Sequence, residues 1–191
     1  MAKILFVNEG FASFITGVLF NKFKKVVHKY VLPIIFRKYK YEGGNWNHVQ
    51  STLLRSKKWM REFITLHANK SNELTYVGKS YGCYEFIRWL LGKYKKDGKK
   101  VLSKYKSVKV FLIDPNPGET RKTGIFDIRG YVPSNMKVYA YHQEKNTPYG
   151  FRVLGANANT VLTKEKVNKK PIDHFNIIQC KKVLNDIRTK C

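Results

Sequence analysis

Acidic residues are scarce in this sequence: 13 Asp and Glu stand against 37 Lys and Arg, a formal charge of +24 over 191 residues. Such a surplus draws polyanions or anionic membranes to a surface but says nothing about fold. Cysteine is nearly absent. Cys83, Cys180 and Cys191 are too few and too far apart for a disulfide framework or a zinc site, and they fit a reducing compartment. No apolar run is long enough for a transmembrane helix. The largely apolar stretch from Lys3 to Phe20 could pass for a secretion leader, but Asn8-Glu9-Gly10 cuts it and no clean small-residue cleavage site follows. Internal repeats and low-complexity tracts are missing. So are G-x-G-x-x-G, a Walker loop, zinc spacings and a calcium loop, so neither a metal nor a nucleotide cofactor is expected. With 43% hydrophobic residues, the remaining expectation is a single cytoplasmic domain over residues 1–191 with a real core.

The periodicity alternates between strand and helix. Lys3 to Val7 (KILFV) is a continuous apolar run of the kind a strand buried on both faces carries. Gly17 to Tyr30 has helical spacing, and Pro33 ends it. Ile34 to Tyr41 reads as a second strand, His48 to His67 as a helix, and Leu74 to Val77 as a third strand. Tyr81 to Tyr94 is an amphipathic helix, Val108 to Ile113 and Lys137 to His142 are further strands, and Asp173 to Arg188 holds a turn and a closing helix. Strands alternating with helices at crossover distances predict a mostly parallel sheet in a three-layer α/β/α sandwich. The densest basic run, Gly92 to Lys106, reads as a solvated helix end and loop.

In open parallel sheets the working groups lie beyond the carboxyl ends of the strands. Gly78-Lys79-Ser80-Tyr81-Gly82 follows the third strand there, so Ser80 would be exposed on a sharp strand-to-helix turn beside a helix N-terminus. An N-cap serine is the plainer reading, and the strand-turn-helix context favours the nucleophile. A serine nucleophile needs a base. His28 and His67 fall inside helical patterns, His48 opens one and His142 ends a strand. His174 lies in a loop (IDHFN) before the closing helix, free to approach Ser80 and then a leaving group, and is the chosen base. The carboxylate that orients it is Asp114, at a strand end and followed by proline, with Glu144 as the alternative acid. The oxyanion donors would be Tyr81 N–H and Phe11 N–H, the latter in the turn Asn8-Glu9-Gly10-Phe11.

These elements, in this order over nearly the whole chain, resemble a small α/β-hydrolase of the lipase/esterase kind. GKSYG matches the nucleophile elbow, and NEGF stands where that family has its His-Gly-x oxyanion loop, with Glu9 replacing the histidine. LIDPNP resembles the acid segment of pancreatic-type lipases, QEKN stands where most other branches place the acid, and DHF resembles the histidine loop. The resemblance implies a serine hydrolase acting on carboxylic esters. No segment is long enough for a cap or lid, so an open cleft is expected. The alternative is a strongly basic, non-catalytic binding protein on a hydrolase scaffold, recognising nucleic acid or anionic lipid.

Overall fold

A computed structural model describes residues 1–8, 46–52, 57–94, 97–118 and 124–190. The first strand, β1 (Lys3–Asn8), buries every residue from Ile4 onward, because both of its faces are covered. β2 (Trp46–Thr52) lies beside it, and helix α1 (Lys57–Leu66) follows. The predicted helix over 48–67 is therefore half wrong. Its first part runs as a strand parallel to β1, with Ile4 opposite His48 and Asn8 opposite Thr52. Pairing along a whole strand overrode a local helical period, as sheet context commonly does. The predicted helix at 17–30 and strand at 34–41 lie outside the described residues.

β3 (Glu73–Lys79) leads into α2 (Tyr81–Leu90), which ends four residues earlier than the apolar spacing predicts. Gly92 adopts φ of 70°, its N–H bonds the Trp89 carbonyl, and Lys93 N–H bonds the Arg88 carbonyl. That is a Schellman termination, which glycine makes without steric penalty. The short helix α3 (Gly98–Leu102), started by Asp97, occupies the basic run. β4 (Ser107–Ile113), β5 (Ile125–Asp127), β6 (Met136–His142), β7 (Arg152–Leu154) and β8 (Ala158–Val161) follow. A hairpin of β9 (Lys166–Val167) and β10 (Lys170–Pro171) precedes a 3₁₀ turn and the closing helix α4 (Lys181–Lys190).

Six strands form one sheet in the order β2-β1-β3-β4-β6-β8, every neighbouring pair parallel, so the class is α/β. Successive strand residues point to opposite faces and feed two cores. On one face Phe6, Tyr76, Val110 and Val138 pack with Met60, Phe86 and Leu102 of α1, α2 and α3. On the other, Leu5, Val7, Val77 and Ile113 meet Ile172, Ile177, Val183 and Ile187 of the closing segment. β8, an edge strand of alternating half-buried and exposed residues (ANTV), carried too little apolar signal to be read from sequence. After β1 the chain goes to one side for β2 and returns to the other for β3. The order therefore reverses between β1 and β3, the switch point where such sheets bind ligands.

Candidate active site

Ser80 and Asp114 sit in matching places. In the β3–β4 register the last pair is Lys79 opposite Ile113, and each candidate residue is the next one along its chain. Both leave the strand with positive φ, 53° at Ser80 and 50° at Asp114. For a non-glycine residue such a backbone is strained and persists only where the surroundings enforce it. At Ser80 that enforcement is visible. Its N–H bonds the Ile113 carbonyl at 2.9 Å, and its carbonyl accepts from Cys83 N–H at 3.0 Å. Ser80 precedes α2, and its side chain makes no cap hydrogen bond, which removes the plainer reading of this serine.

The two glycines of the turn are there for close approach. A Cβ on Gly82 would lie 2.5 Å from the Asn8 carbonyl oxygen, and one on Gly78 would lie 2.8 Å from the Tyr76 ring. Asn8 at the end of β1 therefore packs directly against the first turn of α2. Tyr76 adds a hydrogen bond from its hydroxyl to the Gly82 carbonyl at 2.8 Å, tying strand to helix across the elbow.

His174 arrives from the far end of the chain. Its loop is organised by its neighbours: Asp173 Oδ1 accepts from the N–H groups of Phe175 and Asn176, while Asn176 Oδ1 accepts from Asp173 N–H. The adjacent Asp173 thus shapes the loop and does not serve as the acid. His174 Nδ1 lies 2.5 Å from Asp114 Oδ2, and Nε2 lies 2.8 Å from Ser80 Oγ. A carboxylate can only accept, so Nδ1 carries the proton and Nε2 is the acceptor facing the hydroxyl. Asp114 is fully buried, and its other oxygen accepts from Gln143 N–H at 3.0 Å.

The electrostatics suit a base. Burial holds the His174 imidazole below its ordinary value, the Lys79 charge pushes the same way, and Asp114 opposes both. Burial also drives the Cys83 thiol up, so it stays protonated beside the elbow. Lys79 is itself buried, and that burial brings its ammonium down to about 7.

Glu144 is engaged elsewhere. It lies 3.0 Å from His142 Nε2 and accepts from Arg152 Nε at 2.8 Å, and the Arg152 guanidinium holds its carboxyl below the usual range. The structure thus brings Ser80, His174 and Asp114 together and sets Glu144 against His142. Tyr81 opens α2 directly after Ser80, while Phe11 lies outside the described residues. Three contributors escaped sequence reading. Lys79 stood as the variable residue of the elbow, Gln143 acts through its backbone, and Gly150 matters only for the side chain it lacks, since a Cβ there would collide with the Asp114 carboxylate.

Among the described residues no group of three or more His, Cys, Asp or Glu is placed to hold a metal ion, and no helix is long and apolar enough to cross a membrane. No protein-family model, curated protein or solved structure matches the chain.

Proposed function

We propose that this chain is a serine hydrolase that cleaves carboxylic esters through an acyl-enzyme, on a minimal α/β-hydrolase fold without a cap. The observation that carries the reading is the hydrogen-bonded series Ser80–His174–Asp114, with Ser80 on a strained strand-to-helix turn. His174 Nε2 takes the Ser80 proton as Oγ attacks the ester carbonyl, and Asp114 stabilises the imidazolium that forms. Tyr81 N–H, at the start of α2, donates to the oxyanion, and the sequence reading assigns the second donor to Phe11. The imidazolium then protonates the leaving alcohol, and water, activated by the same imidazole, releases the acid. The reduced, buried thiols of Cys83 and Cys180 support a cytoplasmic setting.

A fluorophosphonate probe tests the reading directly. It should label the folded protein at Ser80, and labelling and turnover of a chromogenic short-chain ester should vanish together in Ser80→Ala. His174→Ala should lower kcat by several orders of magnitude, and adding it to Ser80→Ala should cost little more, because residues acting as one unit are non-additive. Wild-type turnover in Ser80→Ala would sink the proposal.

A further inference from the structure

One charged side chain near the site has no part in this mechanism. Lys79 directly precedes Ser80, and only 3% of it is exposed. Strand alternation puts it on the same face as Val77, which belongs to the core formed with Val7, Ile113, Ile172, Ile177 and Ile178. An aliphatic residue would pack there without penalty, whereas a buried ammonium is expensive unless charges compensate it. The compensation surrounds it. Asp114 at the end of β4 and Asp173 on the histidine loop supply negative charge, and His174 between them completes the group. Its Nζ also stands 5.9 Å from the centre of the Phe175 ring, within cation–π range, next to His174 in sequence.

We propose that Lys79 is a positioning residue of this site: buried behind Ser80 and against the Phe175 ring of the histidine loop, its side chain, where it is charged, keeps His174 in the neutral, proton-accepting form. The inference rests on the hydrolase reading given above. The reason is a charge balance. Two carboxylates beside one imidazole would favour the imidazolium, which cannot accept the serine proton. A cation among them offsets that pull, and it does so at the acidic end of the working range, where Lys79 is charged and His174 would otherwise protonate.

The test replaces Lys79 by Met, by Gln and by Arg, and follows the His174 imidazole by NMR titration beside ester turnover against pH. Lys79→Met and Lys79→Gln should each move the His174 titration upward by roughly one pH unit or more, since a repelling charge has gone. Their turnover relative to wild type should fall progressively from pH 8 to pH 6, toward a limit of about tenfold for each pH unit of that shift. Lys79→Arg keeps the charge and should titrate close to wild type. If Lys79→Met does not fold, Lys79→Gln carries the measurement. An unmoved or lowered His174 titration overturns the proposal, and so does a loss of turnover equal at every pH, the mark of a merely structural lysine. Failure of the hydrolase reading looks different: the wild type would neither turn over ester nor take the probe, while the imidazole titration would still report on Lys79.

Discussion

Gly150→Ala is the mildest change that should damage the site without touching any of its three residues. The glycine has no left-handed φ that would bar alanine, so the methyl group alone is at issue. Built on the backbone, that methyl would stand 2.0 Å from Asp114 Oδ1, 2.8 Å from His142 Cβ and 2.9 Å from Asp114 Cγ. Real Cβ atoms essentially never approach a neighbour closer than 3.0 Å, so the carboxylate or the loop must retreat by at least 3.0 − 2.0 = 1.0 Å. Asp114 has no free space to take up that movement, being fully buried and held by Gln143 N–H on one oxygen and His174 on the other. A misplacement of about 1 Å in a catalytic group costs about 10²-fold in rate. Overpacking of a filled interior adds roughly 1–3 kcal/mol of destabilisation. We therefore expect kcat for a short-chain ester to fall by about 10²-fold, with a melting temperature lower by several degrees. Turnover is measured well below the transition, so that its loss reflects geometry and not unfolding. Wild-type turnover with an unchanged melting curve would mean that Gly150 does not abut the carboxylate and that Asp114 is not held as tightly as its burial and hydrogen bonds require.

Asp114→Asn should lower kcat by about 10⁴, as a histidine held in the wrong tautomer does, while Glu144→Gln should stay within about tenfold; steady-state kinetics with the reverse ranking would move the acid one strand later. Stability should rise from about pH 7 toward pH 9, because Lys79 gives up its proton near 7 when folded but near 10.5 when unfolded, so the unfolded chain binds the extra proton in that window. Near pH 9 the buried Cys83 thiol, which ionises there only in the unfolded chain, begins to offset the rise. The gap of 10.5 − 7 = 3.5 pH units corresponds to on the order of 5 kcal/mol, and denaturant melts of Lys79→Met should lose this rise and show greater stability at pH 7. Above pH 10 stability should fall again, since burial holds the Tyr76 and Tyr105 phenols protonated in the folded chain while the unfolded chain ionises. Reversing the exposed Lys99 and Lys100 on α3 should weaken salt-sensitive binding to anionic vesicles or DNA yet spare small-ester turnover, and a shared loss would tie the basic run to the site.

The part of this site legible in the sequence was the part built from residue identity and order. GKSYG at a strand end, DHF before a closing helix and LIDPNP after the next strand each pair a reactive group with a backbone stop, and the structure brings these groups within hydrogen-bonding distance. The choice between Asp114 and Glu144 needed three dimensions, since both follow strands and only the position of Arg152 and His142 draws Glu144 away. Trp46–Thr52 was misread because its strand character comes from pairing with β1, not from its own pattern. Lys79 was invisible as a buried charge, since sequence alone gives lysine as an exposed residue. Gly150 left no trace because a missing atom has no periodicity.

The parallel sheet has a kinetic consequence. Ser80 and His174 are 94 positions apart, and His174 and Asp114 are 60. Each of these encounters requires closing a long loop, and parallel strands offer no hairpin to bring them together early. Helices α1 and α2 can form in the time their local contacts allow, but the loop bearing His174 can dock only on a finished β3–β4 edge. During refolding, far-ultraviolet ellipticity should recover first, and probe labelling at Ser80 should appear as a slower phase. Turnover therefore gauges long-range order, and no excised helix, hairpin or strand pair of this chain should retain any.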